Sequence, residues 1–313
     1  MRLFVTGASG WIGSAVVAEL LGAGHEAVGL ARSDASAVSL LEAGATVVRG
    51  DLDDLDVLAN AAGESDGVIH LAFKHDLAFS GNFEAAADAD RAAVATMLDA
   101  LAGSNAPFVL ASGLLGMKPG EVAVESDHAD AALLGDAAGP QTRLATAELV
   151  ANFATNGVRT SVVRLPPTNH GVGDNGFLAS IIGFAREKGA SAYLNNGANR
   201  WPAVHRLDSA KLFRLAAESA PAGSTLHAVA DEGVPLVEVA TVIARHLELP
   251  LVSLTPEEAP AHFSWMTRFI GLDAPASSRY TKELLGWEPS HVGLLADLDE
   301  GHYFSTLVRP FNH

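Results

Sequence analysis

The chain has no cysteine among its 313 residues. That removes disulfides, thiolate nucleophiles and zinc–thiolate centres together. Positive charge is also scarce: 20 Lys and Arg stand against 37 Asp and Glu, giving a formal net charge of −17, and no Lys/Arg run occurs anywhere. Nucleic acids and anionic membranes attract the opposite sign, so both are excluded as partners. No uninterrupted apolar stretch approaches the ~20 residues that a membrane span needs. A β-type run already begins at Leu3, which leaves no room for a signal peptide, and the expected location is cytoplasmic. Twelve histidines show neither ligand spacing on one helix face nor an accompanying carboxylate cluster, so no metal site is expected.

What is present is a large apolar fraction, 49%, on a chain longer than one core usually serves. Its first dozen residues set the organisation. The apolar run Leu3–Thr6 stops at Gly7-Ala8-Ser9-Gly10-Trp11-Ile12-Gly13 and resumes as a helical pattern over Ile12–Leu21. Gly7 suits a tight turn, Gly10 lets the main chain approach a pyrophosphate, and Gly13 lets the helix lie close to the strand. Thr6, Gly7, Ser9, Gly10, Trp11, Ile12 and Gly13 are therefore the candidates for gripping a dinucleotide diphosphate at a helix start.

Further β-rich runs follow at Ala27–Ala31, Thr46–Arg49, Val68–Ala72, Phe108–Ala111 and Thr160–Leu165. Helical patterns separate them at Ala35–Glu42, Leu55–Ala61, Phe83–Leu101 and Thr142–Asn156. Such alternation predicts an α/β fold, a Rossmann-type doubly wound parallel sheet, because parallel neighbours need crossover connections. Residues 166–176 read as loop, followed by a helix near Phe177–Lys188 and an extended piece near Ser191–Leu194. A helix at Asp208–Ser219, with Asp208 as its N-cap, and a strand at Thr225–Val229 read as a return to the sheet. The expected division is a dinucleotide-binding domain over 1–166, completed by about 205–230. A smaller substrate lobe takes 167–204 and 231–313.

The end of the second strand selects the nicotinamide cofactor: an acid there grips the ribose 2′-hydroxyl, an arginine a 2′-phosphate. This chain reads Leu30-Ala31-Arg32-Ser33, so Arg32 and Ser33 point to NADP over NAD. Asp51 and Leu52 after the third strand are placed for the adenine edge. Leu71, Ala72 and Phe73 after the fourth run beside the diphosphate and ribose.

Taken together, the TGxxGxxG turn, Gly50-Asp51-Leu52, His70-Leu71-Ala72, Arg164-Leu165-Pro166, the stretch Trp201–Asp208 and the ending Leu285-Gly286-Trp287-Glu288-Pro289 resemble the extended short-chain dehydrogenase/reductases, the NAD-dependent epimerase/dehydratase group. The resemblance spans nearly the whole chain and adds Pro166 to the cofactor-side residues. It implies a Tyr with a Lys four residues on, which lowers the phenol pKa for proton transfer. Here Tyr193, Tyr280 and Tyr303 are followed at that spacing by Gly197, Leu284 and Leu307, and no such pair exists. The family positions fall near Pro140 and Leu144, with Arg143 the nearest charge. The chain thus resembles an atypical member without the standard relay.

Other groups then become candidates near the nicotinamide. Ser112, at the end of the fifth strand, could hold a carbonyl oxygen or only cap the backbone. Lys74 and His75 could donate a proton or form a solvated turn. His170 could face substrate or sit exposed in a loop, and Asp90, where the family usually has Asn, could orient one of these groups. Arg200 could bind an acidic substrate, whereas Trp201 reads as packing and His70 as a satisfied histidine. Three functions stay open: an NADP-dependent oxidoreductase acting on a small carbonyl or alcohol, an NAD-dependent nucleotide-sugar epimerase or dehydratase, and a non-catalytic NADP-binding sensor or scaffold. Apolar stripes at Phe83, Ala87, Val94, Met97 and Leu98, and at Leu149, Val150 and Phe153, fit either a homodimer through these two helices or simple core packing.

Overall fold

The computed structural model describes residues 1–128 and 138–305, and for residue 79 and residues 138–144 the backbone alone. Strands and helices alternate through the first half: β1 (Arg2–Thr6), α1 (Trp11–Gly22), β2 (Glu26–Ala31), α2 (Asp34–Glu42), β3 (Thr46–Arg49), α3 (Leu55–Gly63), β4 (Gly67–His70), α4 (His75–Phe79), α5 (Phe83–Leu101), β5 (Pro107–Gly113), α6 (Ala138–Asn152) and β6 (Arg159–Leu165). Then come β7 (Thr168–His170), α7 (Phe177–Lys188), β8 (Ser191–Leu194), β9 (Arg200–His205), α8 (Arg206–Ser219), β10 (Ser224–His227), β11 (Asp231–Pro235), α9 (Leu236–Leu247) and β12 (Leu251–Leu254). The C-terminal helices are short: α10 (Ala259–Phe263), α11 (Thr267–Ile270), α12 (Arg279–Leu285), α13 (Leu294–Asp299) and α14 (His302–Ser305).

Seven strands join in the order β10-β6-β5-β4-β1-β2-β3, every neighbour parallel. The crossover at β1 makes the switch point where open α/β sheets bind ligands. The period-2 alternation of side chains divides the core into two layers. Leu3 and Val5 face one side with Val109 and Val163, covered by α1 and α8 through Val16, Leu20, Leu212 and Phe213. Phe4 faces the other with Val28, Val68, Phe108 and Val162, covered by α3, α5 and α6 through Leu58, Val94, Met97 and Val150. Within the single chain, Val94, Met97, Leu98 and Val150 of the predicted stripes are thus buried against the sheet.

Past β6 the chain builds a second layer of structure on the sheet's carboxyl edge. A three-stranded sheet runs β11-β9-β7, a two-stranded one pairs β12 with β8 in parallel, and Phe177 packs its ring 5.4–5.8 Å from those of Trp201, Trp265 and Phe269. Two expectations need correction. The stretch 166–176 is not all loop, because Thr168, Asn169 and His170 pair with Ala203, Val204 and His205. The N-cap of α8 is His205, whose Nδ1 accepts from Leu207 N at 3.3 Å, and not Asp208. Asp208 lies one turn further on, buried, accepting from the Ser290 and His291 amides. Among the described residues no helix is long and apolar enough to cross a membrane.

Candidate functional site

The site grows from the turn between β1 and α1. Gly7 adopts φ +65°, and a Cβ there would lie 2.8 Å from Ala72 N. A Cβ on Gly13 would lie 2.0 Å from the Gly7 carbonyl oxygen, so the helix can approach the strand this closely only without a side chain. Gly10 is the N-cap of α1 and supplies no side-chain cap. The first-turn amides of Trp11, Ile12 and Gly13 are therefore left as donors at the positive end of a twelve-residue helix. A cradle that a methyl group would fill, beneath uncapped amides, fits the diphosphate of a dinucleotide. Ser9 is exposed on the same turn. The Trp11 indole donates to Asn169 O at 3.3 Å and lies under the Arg206 guanidinium, 4.1 Å from its ring centre.

At the adenosine side, Gly29 of β2 packs against Ala8 of the turn, which brings the end of β2 alongside it. Arg32 follows β2 with 71% of its side chain exposed, 3.5 Å from Asp76. Ser33 caps α2 in a reciprocal box with Ser36. Sequence reasoning missed Arg49, which donates to Ser33 O at 2.5 Å and Asp34 at 2.7 Å and so puts a second guanidinium beside Ser33. Nothing local marked it, because it ends β3 rather than β2. The Asp51 carboxylate accepts from Asp53 N within its own loop, and Leu52 is buried in the core beneath.

The other predicted residues are scattered around the carboxyl edge. β4 ends at His70, two residues earlier than expected, where Thr6 Oγ1 accepts from the amides of Leu71 and Ala72, both at 3.2 Å. Phe73 packs on Phe83, ring centres 5.6 Å apart, and meets His75 edge-on at 5.2 Å. Lys74 reaches Asp53 at 2.5 Å. Pro166 O accepts from the Asn169 amide at 3.0 Å. Ser112 ends β5 opposite Arg164 of β6, 5% exposed, and no hydrogen bond of its hydroxyl occurs among the described residues. Asp90 meets neither Lys74, His75 nor His170 but His70, at 3.1 Å.

His170 is fully buried in β7 rather than carried on a loop. Its Nδ1 lies 2.8 Å from Asp297 Oδ2, while His302 takes the other oxygen at 3.0 Å. Burial would raise Asp297, but these two partners outweigh it and hold the carboxyl below its usual range. Asp297, Glu300 and His302 each bring one potential ligand atom within 4.8 Å of the others, a grouping the sequence did not suggest. Nearby, burial pushes Asp174 up to about 6 against hydrogen bonds from Gly176 N and Tyr303 Oη. Burial, followed by His170 and His291, pushes His205 down to about 4. Arg200 is held by Asp273 through two parallel bonds of 3.0 and 2.8 Å, which neutralises the cation expected to greet an acidic substrate. Trp201 is buried, as its packing role requires. The side chains of Pro140, Arg143 and Leu144 lie outside the described residues.

With this geometry in place, likeness to known proteins can be weighed. Two fungal proteins, each described only as uncharacterised, are 43% identical: one from Saccharomyces cerevisiae over 95% of this chain and 98% of its own, one from Schizosaccharomyces pombe over 97% and 100%. DesIV, the dTDP-glucose 4,6-dehydratase of Streptomyces venezuelae, solved with NAD bound, superposes with a TM-score of 0.75 at 17% identity, covering 96% of each chain. That likeness establishes the fold alone. The sequence pattern of the NAD dependent epimerase/dehydratase family matches residues 3–229, from the first strand to just past the last strand of the sheet. The chain therefore belongs to the NAD dependent epimerase/dehydratase family.

Proposed function

We propose that the chain is an NADP-dependent oxidoreductase that moves a hydride to or from a small carbonyl or alcohol substrate. One observation carries the reading: a glycine-cradled, uncapped helix start lies beside a β2 end that offers an exposed cation, Arg32, where an acid would grip an unphosphorylated ribose. Bound there, the dinucleotide supplies the hydride donor or acceptor. Ser112, whose hydroxyl has no hydrogen bond among the described residues, is the group to hold the substrate oxygen at the sheet's carboxyl edge. Lys74 and His75, which follow β4 at the sheet's carboxyl end, are the candidate proton donors. Purified protein should consume NADPH with members of an aldehyde and ketone panel, and tight NADPH binding without any turnover would overturn the assignment.

A second reading, nucleotide-sugar epimerisation or dehydration with NAD, draws support from the family and from the fold shared with a dTDP-glucose dehydratase. Those reactions also begin with hydride abstraction. NAD that co-purifies and resists dialysis would favour this reading over a dissociable NADP.

A further inference from the structure

Beneath the glycine turn, three buried polar side chains form a continuous chain that neither function reading uses. Thr6 Oγ1 lies 2.8 Å from His70 Nδ1, and His70 Nε2 lies 3.1 Å from Asp90 Oδ1. Thr6 is fully buried, and His70 and Asp90 are each 1% exposed. The same Thr6 oxygen accepts from the amides of Leu71 and Ala72, both at 3.2 Å; the Leu71 amide is shared with the Thr6 carbonyl at 3.3 Å.

Counting donors and acceptors fixes every proton in this chain. A hydroxyl has one hydrogen and two lone pairs. The two amides occupy both lone pairs of Thr6 Oγ1, so its hydrogen must point at His70 Nδ1. That nitrogen is therefore bare, and the ring is the neutral form with its hydrogen on Nε2. Asp90 completes the count, since an ionised carboxylate can only accept.

We propose that Asp90 is a positioning residue whose carboxylate selects the Nε2–H tautomer of His70, makes Nδ1 the acceptor of the Thr6 hydroxyl, and thereby holds the Leu71–Ala72 backbone against the glycine turn. The consequence reaches the site directly, because Ala72 N is the atom a Cβ on Gly7 would strike. Loss of the Asp90 acceptor leaves Nε2–H buried and unpaired, an arrangement that costs enough to favour moving the hydrogen to Nδ1. An Nδ1–H competes for the Thr6 oxygen and displaces an amide. For function, the inference rests on the reading that this turn carries a dinucleotide; for structure, it does not.

The test compares the wild type with Asp90→Asn, which keeps an acceptor oxygen, and Asp90→Leu, which removes it. Three readouts are taken on the full chain: the His70 tautomer by long-range 15N–1H NMR, hydrogen exchange at the Leu71 and Ala72 amides, and the Kd for NADPH. The wild type and Asp90→Asn should show Nε2–H, slow exchange at both amides and NADPH affinities within about twofold of each other. Asp90→Leu should lose the Nε2–H signature, speed exchange at Ala72 by about tenfold or more and weaken NADPH about tenfold. An Nδ1–H tautomer in the wild type, or unchanged exchange in Asp90→Leu, would overturn the proposal. If tautomer and exchange behave as expected while the wild type binds no dinucleotide, the functional reading falls and the positioning of the turn stands.

Discussion

Replacing Arg32 by Ala probes the cofactor assignment most directly, because the structure makes its cost to the folded protein small. The side chain is 71% exposed, and among the described residues it pairs with Asp76, itself 70% exposed, at 3.5 Å. A pair of that kind contributes about 0–1 kcal/mol, so the variant should melt within a degree or two of the parent. A charge-assisted bond to a 2′-phosphate is worth about 1.5–3 kcal/mol, and solvent access places this one at the lower end. About 1.4 kcal/mol corresponds to tenfold in affinity. Arg32→Ala should therefore raise the Kd for NADPH about tenfold and leave that for NADH within about twofold, both read by titration calorimetry. The gap should narrow as salt rises, since an exposed charge is screened over about 10 Å at 0.1 M. Asp76→Asn should act in the opposite direction, tightening NADPH two- to threefold by removing a competing carboxylate. Equal losses for both dinucleotides would refute the reasoning, as would wild-type protein that binds NADH more tightly than NADPH.

Gly13→Ala drives a methyl group to 2.0 Å from the Gly7 carbonyl oxygen, and should cost about 3 kcal/mol or more in a denaturant melt together with all dinucleotide binding. Ser112→Ala should lower kcat by about 10²-fold with NADPH affinity unchanged, separating chemistry from cofactor binding in steady-state and titration data. Asp174→Asn should abolish one pH dependence of stability. Burial raises this carboxyl from 3.8 to about 6, so the folded state holds its proton more tightly than the unfolded chain. Relative to the protonated carboxyl, burial of Asp174 costs nothing below about pH 4, costs progressively more between about pH 4 and 6, and costs a constant amount above that. The variant should gain about 2–3 kcal/mol over the parent at pH 8 and much less at pH 4, by urea melts at each pH.

Residues that act through their neighbours in the chain were legible from the sequence. The apolar runs located all seven strands of the main sheet, and the long helices Phe83–Leu101 and Phe177–Lys188 matched their predicted bounds, because periodicity and propensity are local. The glycine turn was legible for the same reason: its geometry is decided within seven residues. Partners across the chain were not. His170 meets Asp297 from 127 positions away, Arg200 meets Asp273 from 73, and Asp90 meets His70 from 20. His170 and Arg200 read from the sequence as available for substrate, and Asp90 as orienting Lys74, His75 or His170, yet each has a counterpart that no spacing rule reveals. β7, β11 and β12 escaped for a related reason: Thr168-Asn169-His170 and Asp231–Pro235 carry no apolar run, and these strands are defined by pairing with β9 and β8.

Those pairings also narrow the question of what replaces the missing Tyr–Lys pair. His170 is bonded to Asp297 through Nδ1 and is fully buried, so a substrate could not meet its Nε2 without opening the surrounding core. Asp90 is committed to His70, and Arg200 to Asp273. The Ser112 hydroxyl has no hydrogen bond among the described residues, but a serine hydroxyl can orient an alkoxide without being acidic enough to supply its proton at neutral pH. That leaves the two residues after β4. Among the described residues Lys74 pairs with Asp53; the two side chains are 22% and 64% exposed, so parting them costs about what a partly exposed ion pair contributes. On the oxidoreductase reading proposed above, Ser112 would hold the oxygen and Lys74 would deliver the proton. Lys74→Met should therefore lower kcat by about 10²-fold, with Lys74→Arg recovering the binding of substrate but not the rate, because a guanidinium holds its proton too tightly to give it up. A Lys74→Met variant that turns over at the parental rate would move the proton source to His75 or to water.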